Sequence, residues 1–138
     1  MADISITPAS VIKGTSGQPQ SGIAGATITA GQALYIDTAD SNKLKLADAD
    51  GTSPANVVAG IALHASLAGQ PIAYDVSDSA FQFGGTVLAG DTIWLSDTPG
   101  GVTKTFSDLE AGDAVVVLGV ATSTTVINLS IVAGGTIA

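Results

Sequence analysis

The chain has 138 residues, which is enough for one ordinary domain or for two very small ones that share a core. It contains no cysteine and no arginine, and its 12 acidic residues against 4 lysines give a net charge of −8. This composition excludes disulfides and thiolate metal sites, and it argues against binding to nucleic acid or to an anionic membrane, because both need clustered basic side chains.

The first 25 residues differ from the rest of the chain. DISIT at residues 3–7 predicts one short strand, and the following segment, KGTSGQPQSGIAG at residues 13–25, is rich in Gly, Ser, Gln and Pro. Such a composition buries little apolar surface to offset the entropy of ordering. We therefore predict a flexible or extended N-terminal arm over residues 1–25, followed by a single β domain over residues 26–138. An ordinary disordered terminus is the alternative interpretation of the arm.

A repeat begins after the arm. AGQALYI at residues 30–36 returns as AGDTIWL at residues 89–95, and the same offset aligns VVAGIA at residues 57–62 with VVLGVA at residues 116–121. We therefore predict an internal repeat, with one copy over residues 26–84 and the other over residues 85–138. Chance similarity between strands rich in Ala, Gly and Val is the alternative.

Within the two copies, the pattern Ala-Gly-Gln/Asp precedes an apolar run four times. Glycine tolerates a positive φ, and the Gln or Asp after it can bind nearby backbone, so the pattern predicts a turn that leads into a strand. The four occurrences are residues 30–32, 68–70, 89–91 and 111–113.

Turn-forming residues also separate apolar segments at 38–42 and 97–101, which predicts two β-hairpins. Helical periodicity is weak throughout. The predicted fold class is therefore all-β, a compact β-barrel or sandwich built from two similar β-modules with an extended N-terminal arm. Only 12% of the residues are charged, too few to coat an exposed monomer well, so we also expect contacts with other chains.

The side chains that could perform chemistry are few and scattered. The only histidine, His64, follows an apolar strand, and no Gly-x-Ser-x-Gly motif occurs. The segment Asp48-Ala49-Asp50-Gly51 lacks the further ligands of a calcium loop. We predict no catalytic, cofactor-binding or metal-binding residues, no cofactor and no enzyme activity. Phe81 and Phe83 lie on one strand face, as core residues or as a patch that binds a partner.

Four segments of the chain resemble the small capsid decoration proteins, or cement proteins, of tailed bacteriophages. They are AGATITAGQALYIDTADSNKLKLAD, VVAGIALHASLAGQPIAYDV, GTVLAGDTIWLSDTPGGVT and DAVVVLGVATST, and the resemblance covers residues 23–133. It implies a β-rich structural protein on the outer surface of the phage head, usually a homotrimer. Its implied partner is the major capsid protein, whose neighbouring subunits it clamps. It implies no catalytic residue.

The resemblance also implies that the N-terminal arm lies along the capsid surface. Ile4, Ile6, Val11 and Ile12 are the candidate anchoring side chains. Deleting residues 1–20 is then expected to weaken capsid binding and to leave the core folded.

Two other classes of function stay open on the sequence. One is a tail- or fibre-associated β-domain that binds a host-surface glycan or another virion protein, which would need exposed aromatic side chains in loops. The other is an enzyme or a ligand-binding barrel, which would need polar groups converging in a cavity.

Overall fold

The computed structural model describes residues 3–137, and this range is all-β, as predicted. It contains no α-helix, and none of its elements is a helix long and apolar enough to cross a membrane. Two short 3₁₀ turns lie at Pro8–Ser10 and Phe106–Asp108. The strands are β1 (Val11–Ile12), β2 (Pro19–Ile23), β3 (Ala33–Asp37), β4 (Lys43–Leu46), β5 (Gly60–Ala62), β6 (Pro71–Asp75), β7 (Ser77–Phe83), β8 (Thr92–Leu95), β9 (Val102–Thr103), β10 (Ala114–Ala121) and β11 (Val126–Thr136).

The strands form two antiparallel sheets with the same internal order. The first sheet runs β2-β6-β5-β3-β4, and five strands of the second run β7-β11-β10-β8-β9. Their registers also agree, because Leu34 lies opposite Gly60 in one sheet and Ile93 lies opposite Gly119 in the other, 59 positions later in both strands. The predicted pair of similar β-modules is therefore present.

The first module begins earlier than the sequence pattern indicates. β2 pairs with β6 along its whole length, from Pro19 opposite Asp75 to Ile23 opposite Pro71. β7 holds the same place in the second sheet. The equivalent elements therefore start at residues 19 and 77, whereas the predicted repeat started at residues 26 and 85.

An N-terminal arm that stands apart from the domain is not confirmed. Residues 3–12, here called the N-terminal strap, join β7 to β9 and contain β1, which is the sixth strand of the second sheet. Asp3 forms a bridge with Thr103 in β9, and Val11 lies opposite Phe83 in β7. Because apolar strap residues also pack on the core, the segment gains enough contacts to offset its ordering entropy.

The first sheet closes without such a strap. Ala24, just after β2, forms a parallel bridge with Leu44 in β4, and the Gly25 N–H donates to the Leu44 carbonyl at 2.8 Å. The two edges of this sheet therefore meet directly, and the sheet curls back on itself.

The two modules share a core. The larger apolar cluster lies in the second module and also takes in Ala33, Ala47, Ala49 and Ile61 from the first. Backbone hydrogen bonds cross the same boundary, since the Ala49 N–H donates to the Ser96 carbonyl at 3.0 Å. The smaller cluster lies inside the first sheet and consists of Ala24, Ile28, Leu34, Leu44, Ala62, Ile72 and Tyr74.

Candidate interaction surface

The four Ala-Gly-Gln/Asp segments adopt one turn geometry. In each turn the glycine has a φ between +88° and +93°. In each, the Gln or Asp side chain accepts a hydrogen bond from the N–H three residues earlier, at 2.8 to 3.1 Å. The predicted turn chemistry is therefore present at all four sites.

Each turn is also fixed to a distant segment by a pair of backbone hydrogen bonds. The Gly90 N–H donates to the Ala121 carbonyl, and the Ala121 N–H donates to the Asp91 carbonyl, both at 2.8 Å. An exposed leucine directly precedes two of these turns, Leu67 in one case and Leu88 in the other. The turns thus hold apolar side chains in fixed positions on the surface.

Large apolar side chains are exposed on both modules and on the strap. Their exposed fractions range from 43% to 66%. They are Ile12, Ile23, Val57, Leu67, Leu88, Phe106, Val120 and Val132. Side chains of this kind gain free energy when a partner removes them from water, so they are the candidate contact residues.

The four side chains predicted to anchor the arm fall into two groups. Ile4, Ile6 and Val11 are partly buried against the larger core cluster of their own chain. Ile12 is 52% exposed. Of the four, Ile12 therefore offers the most free surface to a partner.

The aromatic residues belong mainly to the core. Phe81 and Phe83 are buried, which agrees with the core interpretation of this pair. Trp94 packs partly on the core, and its ring centroid lies 5.3 Å from that of Phe106. Phe106 is the one large aromatic side chain among residues 3–137 that is strongly exposed, at 43%.

His64 holds a structural position at the surface. Its Nε2 accepts a hydrogen bond from the Ala73 N–H at 3.0 Å, so Nδ1 carries the proton and donates to the Ala65 carbonyl at 2.9 Å. The ring therefore joins β6 to the segment before the second turn.

The acidic side chains of the β3–β4 hairpin bind lysine. The Lys45 Nζ lies 2.8 Å from Asp37 Oδ2 and 2.9 Å from Asp40 Oδ2, and these bonds lower the pKa of both carboxyls. Over residues 3–137, no three His, Cys, Asp or Glu side chains are grouped closely enough to hold a metal ion.

A buried pair of carboxyls lies where the two modules join. Asp75 and Asp78 are 0% and 1% exposed. Asp75 Oδ1 accepts from the Gln18 N–H at 2.9 Å, whereas its Oδ2 has no partner. The pKa of Asp75 is raised to about 6, mainly by burial and secondly by the hydrogen bond with the Asp78 side chain. The side chains of Asp75 and Asp78 share a hydrogen bond, and the protonated Asp75 carboxyl is its donor.

Asp78 is held in its charged form. Burial acts to raise its pKa, but hydrogen bonds from Asp75, from the Ala80 N–H and from the Gly14 N–H outweigh burial and lower the pKa. The Gly14 N–H donates to Asp78 Oδ2 at 2.6 Å. The pair therefore fixes the loop between β1 and β2 to the module boundary, a role that the sequence does not signal.

Comparisons of the chain with protein-family models, with curated proteins and with solved structures found no match.

Proposed function

We propose that this chain is a structural virion protein that binds the outer surface of a bacteriophage head. It stabilises the capsid by clamping neighbouring subunits of the major capsid protein. The proposal starts from the sequence resemblance to capsid decoration proteins. The observation that carries it furthest is the set of large aliphatic side chains exposed on two modules that share a core.

The placement of these side chains suits a clamp. They lie on the strap (Ile12), on the first module (Leu67) and on the second (Leu88), so different parts of the surface can meet different subunits. Many modest contacts repeated over a symmetric shell add up to stable attachment.

The joined modules also suit a protein that must resist mechanical stress. A shared core and crossing backbone hydrogen bonds resist relative movement of the two halves. The net charge of −8 favours a position outside the shell, away from packaged DNA, because like charges repel.

Co-sedimentation with expanded heads that lack decoration protein tests the proposal. We expect saturable binding at a fixed ratio to the major capsid protein. Ile12→Ser is expected to weaken binding, whereas Ser10→Ala, a change at an exposed polar strap position, is expected to leave it unchanged. Absence of binding to heads would contradict the proposal, and binding to a host glycan or a tail protein instead would favour a tail- or fibre-associated domain.

A further inference from the structure

One surface loop covers the buried pair of carboxyls. Residues 13–18, here called the latch loop, join β1 to β2, and none of them is buried. Asp75 and Asp78, which the loop contacts, are 0% and 1% exposed. The loop packs closely on β7, since a Cβ at Gly14 would lie 2.6 Å from the Ala80 carbonyl oxygen. A segment that is itself at the surface therefore shields two carboxyls from water.

Hydrogen bonds to these carboxyls hold the latch loop in place. Its sequence, KGTSGQ, contains no large apolar residue. The Gly14 N–H donates to Asp78 Oδ2 at 2.6 Å, and the Ser16 hydroxyl donates to Asp78 Oδ1 at 3.3 Å. The Gln18 N–H donates to Asp75 Oδ1 at 2.9 Å. Opening the loop removes little apolar contact, so its free energy depends mainly on these bonds and on the state of the two carboxyls.

One proton decides whether the two carboxyls can stay side by side. While Asp75 is protonated, it donates to Asp78 and the pair carries a single charge. Without that proton, Asp75 Oδ2 has no hydrogen-bond donor, and two like charges are buried next to each other. Opening the loop would hydrate both charges and separate them by water. The closed loop is therefore stable only while the pair holds its proton.

The surrounding charges do not replace this proton. Lys13 is the only cation of the latch loop, and its side-chain stem lies over Gly17, close to Asp75 Oδ2. Its Nζ donates to the Gly14 carbonyl at 3.1 Å instead. The strands that pair with β6 or β7, namely β1, β2, β5 and β11, contain no ionisable side chain.

Two other ionisable groups lie on or beside β6. Burial raises the pKa of Tyr74 further above the neutral range, so this residue stays uncharged. Histidine is a side chain that changes charge near neutral pH, and His64 accepts from the Ala73 N–H, two residues before Asp75. A variant at Asp75 alone therefore separates the effect of the pair from that of the histidine.

We propose that residues 13–18 form a pH-controlled latch, which is closed while Asp75 and Asp78 share a proton and opens locally when that proton leaves. The open latch frees the connection between the N-terminal strap and β2, because the loop directly follows β1. The pKa of Asp75 is about 6 with the latch closed and returns toward 3.8 when water reaches the carboxyl. Opening therefore increases as the pH rises from about 4 and becomes constant above about 7. This behaviour does not depend on the proposed role at the capsid.

Amide hydrogen exchange of the full-length chain between pH 5 and pH 8, corrected for the intrinsic exchange rate, tests the proposal. Protection of the Gly14 and Gln18 N–H groups is expected to fall about tenfold between pH 5 and pH 7.5. The Thr29 N–H is the internal reference, because the Gln32 side chain holds it and does not titrate, and its protection is expected to change far less.

Two variants assign the effect to the pair. Asp75→Asn keeps a donor to Asp78 at every pH, so protection of the latch loop is expected to stay constant. Asp50→Asn removes the same charge from an exposed residue and is expected to behave like the wild type.

Limited proteolysis gives a second readout at a single pH. Trypsin cleaves after lysine, and Lys13 is the one lysine of the latch loop. At pH 8 we expect cleavage after Lys13 to be roughly tenfold faster in the wild type than in Asp75→Asn, because the rate follows the open population. Cleavage after Lys104, in the second module, is expected to be similar in both.

Three results would overturn the proposal. The first is a wild type in which protection of Gly14 and Gln18 does not change with pH. The second is an equal loss of protection at Thr29, which would mean that the whole domain loosens. The third is a pH dependence that persists in folded Asp75→Asn, which would assign it to another group such as His64. The wild-type comparison of Gly14 with Thr29 decides the question even if the variant does not fold.

Discussion

At the scale of single residues, the Asp75–Asp78 pair makes stability depend on pH. The pKa of Asp75 is raised in the folded protein from 3.8 to about 6, so the folded state holds this proton more tightly than the unfolded state does. Its contribution to stability is therefore complete below about pH 4 and is lost as the pH rises through about 6. The lowered pKa of Asp78 acts in another window, since its contribution is lost only as the pH falls below about 4.

We predict that Asp75→Asn raises the free energy of unfolding at pH 8 by about 1–3 kcal/mol and removes the decline between pH 4 and 7. The reason is that an amide can donate to Asp78 at every pH while its oxygen keeps the bond from Gln18. Urea unfolding across this pH range is the measurement. Asp50→Asn removes the same charge at an exposed site and is the control. Equal pH profiles for Asp75→Asn and the wild type would contradict this role.

The turn side chains allow a second residue-scale prediction. Asp113 is buried and accepts from the Glu110 N–H at 2.9 Å. Asp113→Ala leaves that N–H without its acceptor. We expect this variant to lower the free energy of unfolding by about 1–2 kcal/mol. Asp113→Asn keeps an acceptor oxygen and is expected to cost clearly less. Equal losses in the two variants would show that this hydrogen bond contributes nothing.

Much of the residue-scale chemistry can be predicted when it is local. The four turns follow from Ala-Gly-Gln/Asp, because the glycine and its hydrogen-bonding neighbour lie within four residues. The Asp75–Asp78 pair cannot be predicted in this way. Its burial comes from the loop at residues 14–18, about 60 positions earlier in the chain, which no local pattern reveals.

At the scale of elements, the N-terminal strap changes what a truncation is expected to do. The Ile6 side chain lies over Gly31 and Gly84, in contact with the larger core. Removal of residues 1–20 would uncover this core and delete the whole strap that closes the second sheet. The structure thus argues against the expectation that such a truncation leaves the core intact.

We predict that Ile6→Ser lowers the free energy of unfolding by about 1–3 kcal/mol, because it removes apolar contact from the core. Ile12→Ser changes an exposed residue of the same strap and is expected to change the free energy of unfolding by less than about 0.5 kcal/mol. Chemical denaturation of both variants makes the comparison. An Ile6→Ser protein as stable as the wild type would mean that the strap does not pack on the core in solution.

Equivalent glycines allow close strand pairing in both sheets. A Cβ at Gly60 would lie 2.6 Å from the Asp75 carbonyl oxygen, and one at Gly119 would overlap the carbonyl oxygen of Asn128. Gly119→Ala is therefore expected to lower the free energy of unfolding by about 3 kcal/mol or more, because the backbone of the neighbouring strand must move. A Cβ at Gly69 would contact no other atom, and only its positive φ would be strained. Gly69→Ala is therefore expected to lower the free energy of unfolding by about 1 kcal/mol. Thermal unfolding that ranks them in the reverse order would contradict this packing.

Elements were predictable where hydrophobic alternation and turn residues coincide. The hairpins β3–β4 and β8–β9 are of this kind, and both are present. β2 is different, because its sequence PQSGI has the composition of a flexible segment. It becomes a strand through pairing with β6, a tertiary contact that outweighs local propensity.

At the scale of the whole molecule, two similar modules share one core, and their sheets close in different ways. The first sheet closes through its own chain at Ala24 and Leu44, whereas the second needs the strap. The exposure of these aliphatic side chains could not be predicted. The sequence alone does not show whether a valine in a strand faces the core or the solvent. Only the assembled surface separates Val132 from the buried Val116.

We propose that this chain strengthens a bacteriophage capsid. The most direct measurement is the temperature at which DNA-filled heads release their DNA, with and without the added chain. We expect saturating amounts of the wild type to raise that temperature, and heads given Ile12→Ser at the same concentration to gain less. Heads that release DNA at the same temperature with and without the wild-type chain would contradict this proposed function.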